Sequence, residues 1–129
     1  YNADFFKTLL EKISARKLLD TGFIVVRIEN LNEITFERGY AFSSRLLSDT
    51  ASEFLKFAGE KDLCARTAKN EFIMVKISTT GKATSDTERN LIKALKDLNP
   101  SVRYASGSAV QNSDMSIDAA CESARKGLA

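Results

Sequence analysis

The stretch CARTAKNEFIMVKIS, residues 64–78, contains two apolar runs around a short polar tip. This pattern predicts a β-hairpin over residues 62–77, with the four residues of TAKN, 67–70, at its tip. Tight hairpin turns favour glycine, because glycine adopts positive φ without steric cost. The tip contains no glycine, and a lysine lies where the chain bends. The tip therefore presents side chains where a tight turn usually presents bare backbone.

A second stretch, FIVVRIE at residues 23–29, predicts the centre of the sheet. Its continuous β-branched run is typical of a strand that is buried on both faces. Two helices are predicted to follow it, over residues 31–39 and 41–58. Asn30 is the expected N-cap of the first, and Gly59 is expected to end the second. The second helix carries large apolar residues at helical spacing on one face: Phe42, Leu46, Leu47, Phe54 and Phe57.

The remaining elements complete an alternation of helices and strands. The segment SDTE, residues 85–88, predicts a capping box that opens a helix, and Asn99-Pro100 is expected to end that helix. The other predicted elements are a helix over residues 5–18, a polar loop over 78–84, a strand over 102–110 and a helix from about residue 116. This order defines an α/β class protein, a ferredoxin-like sandwich in which helices flank a mainly antiparallel central sheet.

Composition narrows the functional classes. Apolar residues make up 43% of the chain and charged residues 28%, which is ordinary for a globular domain. The net charge of +2 creates no strong field toward polyanions, so we predict no nucleic-acid partner. No apolar run approaches the roughly 20 residues that span a bilayer, so we predict no direct membrane contact by this domain.

The nucleophilic and metal-binding side chains are few. Histidine is absent, which excludes Ser-His-Asp and Cys-His nucleophile systems and argues against a zinc site. Cys64 and Cys121 share no metal-ligand spacing, and both are predicted to be reduced thiols of a cytosolic protein. The 129 residues are enough for one domain. Because the chain opens inside a predicted helix, we expect residues 1–129 to be a fragment of a longer multidomain protein.

Four stretches are similar in order and spacing to the motifs of one family. YNADFFKTLLEKI resembles an opening Y-N-R-x-x-F helix, and VVRIENLNEITFERGY resembles the strand motif D-x-D-x-F-K-x-I-N-D-x-x-G-H without a gap. RTAKNEF resembles R-x-G-G-[DE]-E-F, and VRYASGSAV resembles the late strand V-T-x-S-I-G-V-A. Together they resemble the bacterial GGDEF domains, which are diguanylate cyclases and their relatives, over nearly the whole chain. The resemblance implies a nucleotide-cyclase-like form of the sandwich.

The resemblance also implies what the hairpin tip is for. In the family the tip lies against GTP, and two glycines let the backbone approach ribose and phosphate. Ala68 and Lys69 occupy those glycine positions, and Asn70 replaces an acidic residue that helps to hold Mg²⁺. Glu71 and Phe72 match the family signature, and we expect Phe72 to serve core packing.

The positions that bind metal and guanine in the family are also substituted, and these substitutions too remove contacts to GTP. Arg27 replaces the aspartate that is the main metal ligand, and its guanidinium stays protonated and repels a cation. Glu29 retains an acid at the second aspartate position. The two residues that read guanine fall at Thr35 and Ser44, and a hydroxyl cannot accept two hydrogens as an aspartate does. We therefore predict no metal, no cofactor and no cyclase activity, with Arg27 paired instead to Glu71 or Glu29.

The inhibitory product site of the family, R-x-x-D, falls at GEKD, residues 59–62. Asp62 is retained, but Gly59 replaces the arginine, which is the stronger half of the clamp because it binds in bidentate fashion. We therefore predict that cyclic di-GMP does not bind at this site. Asp62 is expected to be an exposed residue at the start of a strand.

These substitutions predict a degenerate, catalytically inactive GGDEF domain that acts as a regulatory or interaction module in cyclic di-GMP signalling. The segment RIENL and the eroded hairpin resemble the LapD type of GGDEF–EAL receptor. That resemblance implies an intramolecular EAL or other signalling domain as partner, and a cytoplasmic domain whose parent protein is anchored in the inner membrane. It leaves homodimerisation open. Two alternatives remain: a non-catalytic GTP-sensing module and an unrelated ferredoxin-like interaction domain.

Overall fold

A four-stranded sheet with helices packed on it forms the described part of the protein. The structure is a computed structural model that describes residues 21–59, 62–76 and 81–110. Its elements in chain order are β1 (Gly22–Ile28), α1 (Leu31–Arg38), α2 (Tyr40–Phe57), β2 (Leu63–Ala68), β3 (Glu71–Lys76), α3 (Gly81–Leu98) and β4 (Tyr104–Val110). The strand order is β2-β3-β1-β4, and every neighbouring pair is antiparallel. The predicted α/β architecture with an antiparallel sheet is confirmed.

The apolar run of β1 explains its central place in the sheet. Side chains of a strand alternate between its two faces, and both faces of β1 are buried. Phe23 and Val25 are fully buried on one face, while Ile24 and Val26 join the main core on the other. The core cluster links β1 and β3 with the helices, and its largest fully buried members are Ile24, Ile28, Leu46, Phe54, Met74, Leu91 and Leu95.

The helices that follow β1 match the prediction in position, and Asn30 is the N-cap residue of α1, but its side chain makes no capping hydrogen bond. Its side chain instead bridges to the segment before β4: Nδ2 donates to the Ser101 carbonyl oxygen at 3.3 Å, and Oδ1 accepts from the Arg103 N–H at 3.0 Å. The predicted N-cap position is therefore confirmed, but the side chain does not cap the helix, because the segment before β4 binds its amide group. Between the helices, Gly39 has φ 87°, a conformation that favours glycine. Ala58, rather than Gly59, is the C-cap residue of α2.

The predicted capping box at residues 85–88 is also wrong, since α3 already begins at Gly81. Glu88 does not reach back toward a helix start. Its carboxylate oxygens accept hydrogen bonds at 2.6 Å from the hydroxyls of Ser106 and Ser108 on β4. The helix ends at Leu98, directly before Asn99-Pro100, so the predicted end of this helix is confirmed. The last strand begins at Tyr104, two residues later than expected.

The predicted terminal helices, over residues 5–18 and from about residue 116, lie outside the described residues, as does Cys121. No helix among the described residues is both long and apolar enough to cross a bilayer.

Candidate functional site

The hairpin formed by β2 and β3 has a two-residue tip. Ala68 pairs with Glu71, so Lys69 and Asn70 alone make the turn. The predicted four-residue tip is wrong, because the ladder continues past an extra residue, Thr67, where the register shifts as in a β-bulge. The bulge lets the strand pairing extend toward the end of the hairpin.

The chain's own donors hold the tip backbone in place. The Arg66 guanidinium donates to the Lys69 carbonyl oxygen from Nε at 3.1 Å and from Nη2 at 2.7 Å. On the side facing β1, Asn70 Nδ2 donates to the Ile28 carbonyl oxygen at 3.0 Å. The Ile28 N–H in turn donates to the Asn70 carbonyl oxygen at 2.9 Å. Ala68 and Lys69, at the two expected glycine positions, are exposed.

An ion pair joins β1 and β3 beside the tip. The register places Arg27 directly opposite Glu71, and Arg27 Nη2 lies 2.9 Å from Glu71 Oε2. The predicted pairing of Arg27 with a nearby acid is confirmed, and Glu71 rather than Glu29 is the partner. The Glu71 side chain is only 6% exposed, against 36% for Arg27. Thr67 Oγ1 also donates to Glu71 Oε1 at 2.7 Å, a contact that the sequence did not predict.

The Mg²⁺ that the resemblance implies does not fit this corner. A Mg²⁺ ion needs oxygen ligands in octahedral geometry. Arg27 instead directs a cationic N–H at Glu71, and Asn70 directs an amide N–H at the Ile28 carbonyl oxygen. Glu29 is exposed. Among residues 21–59, 62–76 and 81–110, no three His, Cys, Asp or Glu side chains lie close enough together to hold a metal ion.

A groove of about 620 Å³ lies between α2 and the hairpin. Its walls are mainly apolar and include Leu47, Ala51, Phe54 and Leu55 from the helix and Ala65 and Phe72 from the strands. Phe72 is 5% exposed and its ring centroid lies 5.6 Å from that of Phe54, so its predicted role in core packing is confirmed. None of the described residues that line the groove is an acid.

The two expected guanine-reading positions do not act together. Ser44 is exposed and lines the groove. The Thr35 hydroxyl donates to the Leu31 carbonyl oxygen at 2.9 Å and lies 2.5 Å from the Ser43 hydroxyl. Thr35 is thus bonded within the two helices, whereas Ser44, Ser48 and Arg66 supply polar side chains to the groove.

Asp62, predicted to be exposed, is a largely buried anchor. Its Oδ2 accepts from the Gly59 N–H at 2.7 Å and from Lys76 Nζ at 2.9 Å, and its side chain is 8% exposed. The prediction is wrong because the carboxylate is held by the Gly59 N–H and by Lys76 on β3. A Cβ at position 59 would lie 3.3 Å from Asp62 Oδ2, so glycine suits this close approach.

Cys64 is a free thiol on β2 that packs against the core and lines the groove. Burial, with a smaller contribution from the Asp62 carboxylate, raises the pKa of the thiol from 9.0 to about 11. A raised pKa means that the folded state retains the proton longer than the unfolded chain. The stability from this group is therefore fully present below pH 9.0 and is lost as the pH rises toward 11.

We expect Cys64 to react slowly with iodoacetamide in the folded protein. In a Cys121→Ser background at about pH 8, alkylation should be roughly 100-fold slower than in the same protein unfolded in urea, because the thiolate is the nucleophile. Mass spectrometry of quenched samples measures the rate. Equal rates in the folded and unfolded protein would contradict the raised pKa.

The antiparallel sheet, with its hairpin beside β1, has the nucleotide-cyclase-like architecture of diguanylate cyclase domains. The chain belongs to the GGDEF family: the family model "Diguanylate cyclase, GGDEF domain" matches residues 1–126. No curated protein sequence matches it.

Several solved structures have the same fold. The GGDEF domain of DgcB from Caulobacter crescentus, in complex with c-di-GMP, is 16% identical, with a TM-score of 0.88 over 98% of this chain and 82% of that one. The S helix-GGDEF-EAL part of Vibrio cholerae LapD, bound to c-di-GMP, is 16% identical, with a TM-score of 0.86 over 98% of this chain and 31% of that one. Diguanylate cyclase SiaD from Pseudomonas aeruginosa, in complex with its activator SiaC, is 14% identical, with a TM-score of 0.81 over 98% of this chain and 53% of that one.

Proposed function

We propose that this chain is a catalytically inactive GGDEF domain that acts as a regulatory or interaction module in cyclic di-GMP signalling. The observation that carries the proposal is the contact between Arg27 and Glu71, 2.9 Å apart beside the hairpin tip. Phosphoryl transfer depends on cations that bridge phosphate oxygens and on carboxylates that hold those cations. A fixed guanidinium at the expected metal-ligand position opposes both.

The groove supports the same proposal. A guanine base offers polar edges, and leaving such groups without partners costs about 1–3 kcal/mol each. The groove walls are mainly apolar, and the Thr35 hydroxyl is bonded to Leu31 and Ser43. Ser44, Ser48 and Arg66 line the groove, but no acid is among its described lining residues to accept from the N–H groups of guanine. Guanine would thus meet no carboxylate among the described groove residues, so the groove would not select GTP over other ligands.

The hairpin tip adds a further obstacle. Lys69 contributes a side chain at a position where the family presents glycine backbone, and its carbonyl oxygen is engaged by Arg66. At the expected product site, the Asp62 carboxylate is engaged by Gly59 and Lys76. We propose that neither GTP nor cyclic di-GMP binds this chain at the family's usual positions.

The similar structures suggest how such a module is used. LapD combines a GGDEF with an EAL part, and SiaD is found with its activator SiaC. We propose that this domain is cytoplasmic and acts on a neighbouring EAL or other signalling domain of its parent protein, which is anchored in the inner membrane. Homodimerisation is an alternative mode of interaction for the same domain.

The test of inactivity is a direct assay for product. We expect the purified protein to form no cyclic di-GMP from GTP with Mg²⁺ or Mn²⁺, measured by mass spectrometry against a no-enzyme control. An active GGDEF domain in parallel shows that the assay works. Turnover clearly above the no-enzyme control would refute the proposal. Titration calorimetry with GTP separates the remaining alternative, since a GTP-sensing module would give saturable heat without product.

A further inference from the structure

We propose that Arg27 and Asn70 together replace a bound cation where the hairpin tip meets the end of β1. This part of the fold is therefore stable without a divalent metal. The inference rests on the proposed function in one respect, since it concerns the same corner whose chemistry is lost. It goes further, because it assigns a stabilising role to Arg27 and Asn70, whereas the proposed function states only that they are not metal ligands.

The first contact neutralises a buried charge. Glu71 lies near the start of β3 with its side chain 6% exposed, and a carboxylate at that depth needs a compensating partner. Arg27 supplies a permanent positive charge at 2.9 Å, and Thr67 adds a hydroxyl donor at 2.7 Å. One guanidinium and one carboxylate leave this pair electrically neutral.

The second contact satisfies a backbone oxygen. The Ile28 carbonyl at the end of β1 accepts from Asn70 Nδ2 at 3.0 Å, while the Ile28 N–H donates to the Asn70 carbonyl oxygen. An aspartate at position 70 would place a carboxylate oxygen against the Ile28 carbonyl oxygen, two acceptors without a hydrogen between them. The amide is therefore matched to this position in a way that a carboxylate is not.

The two contacts are adjacent on both strands. Arg27 and Ile28 are neighbours on β1, and Asn70 and Glu71 are neighbours where the tip enters β3. The N–H groups of Arg27 and Asn70 thus each bind an oxygen atom, one on Glu71 and one on Ile28. A single divalent cation would hold the same two oxygens together by coordinating both. The fold closes the hairpin tip onto the end of β1 by this arrangement.

The arrangement has a measurable consequence. The thermal stability of the wild-type protein should not depend on divalent metal. Replacing both donors, in the variant R27D/N70D, gathers three carboxylates beside the Ile28 carbonyl oxygen, and like charges at this distance repel one another. That variant should be unstable without a cation and should recover when one binds, since a ligand that binds only the folded state stabilises it.

The experiment compares melting temperatures in EDTA and in millimolar Mn²⁺. For the wild type we expect a difference of less than about 1 °C. R27D/N70D should melt at least about 5 °C below the wild type in EDTA and should recover several degrees in Mn²⁺. The matched control R27N removes the cation without adding a carboxylate, so it should melt lower than the wild type equally in both buffers. The variant R89D, at an exposed position of α3, controls for adding acid elsewhere.

Each outcome decides the inference. A wild-type melting temperature that rises in Mn²⁺ would overturn it, as would R27D/N70D or R27N as stable as the wild type in EDTA. A destabilised double variant that does not respond to Mn²⁺ would also overturn it. If the double variant does not fold in EDTA, refolding in Mn²⁺ decides between recovery, which supports the inference, and no recovery, which refutes it. Cyclic di-GMP production by the wild type is a separate readout, so the proposed inactivity and this inference can fail independently.

Discussion

Replacing Phe54 with alanine is expected to lower the free energy of unfolding by about 3–5 kcal/mol, because truncation of a buried phenylalanine loses apolar burial and leaves a cavity. Phe54 is 1% exposed and its ring packs against Phe72, which joins α2 to the hairpin. Domains of this kind are stable by only about 5–15 kcal/mol. The substitution therefore removes a large share of the total stability.

Urea unfolding followed by circular dichroism measures this effect. The neighbouring substitution Leu55→Ala is the matched control, since Leu55 lies on the same helix but is 67% exposed. That control should change the free energy of unfolding by no more than about 0.5 kcal/mol. A loss below about 1 kcal/mol for Phe54→Ala would show that the groove side of α2 is not held by this aromatic contact.

Replacing Asp62 with alanine is expected to cost about 2–4 kcal/mol of stability. Removing one partner of a buried ion pair leaves the other charge without compensation, at a cost of about 3–5 kcal/mol. We set the value lower because Lys76 is 17% exposed, so water partly screens its charge. The Gly59 N–H, bonded to Asp62 at 2.7 Å, loses its acceptor as well.

Two further variants separate these contributions. Asp62→Asn retains an oxygen that can accept from Gly59 but removes the charge, so it should cost less than Asp62→Ala. In the variant Asp62→Ala/Lys76→Met no ammonium group remains to be buried, and part of the lost stability should return. Equal stability of the wild type and Asp62→Ala in urea unfolding would mean that the carboxylate does not anchor this segment.

Two largely buried acids, at positions that resemble motifs of the family, are each paired within the chain. Glu71 belongs to the hairpin signature, and Asp62 to the product-site motif. In this structure each is compensated within the chain, Glu71 by Arg27 at 2.9 Å and Asp62 by Lys76 at 2.9 Å. A buried carboxylate needs a cation whether or not a ligand supplies it. The chain supplies both cations from neighbouring strands of its own sheet.

The local pattern of the sequence was sufficient to predict the order of the described helices and strands and the α/β class of the fold. A continuous β-branched run can be satisfied only where a strand is covered on both faces, so β1 was predicted as the centre of the sheet. Asn99-Pro100 was correctly predicted to end α3, because proline excludes helical geometry at the preceding residue. A pair between Arg27 and either Glu71 or Glu29 was also predicted, since the resemblance placed these oppositely charged positions at one corner. The structure selects Glu71.

Only the tertiary structure determined which partners the polar side chains bind. Asn30 and Glu88 were predicted to cap helices, but each bonds to a segment that the fold brings alongside it. Asp62 was predicted to be exposed, yet it meets Lys76 across the hairpin. Hydrophobic periodicity is a property of neighbours in sequence and therefore specifies helices and strands. A side-chain hydrogen bond depends on strand register, and register is set only when the whole sheet has formed.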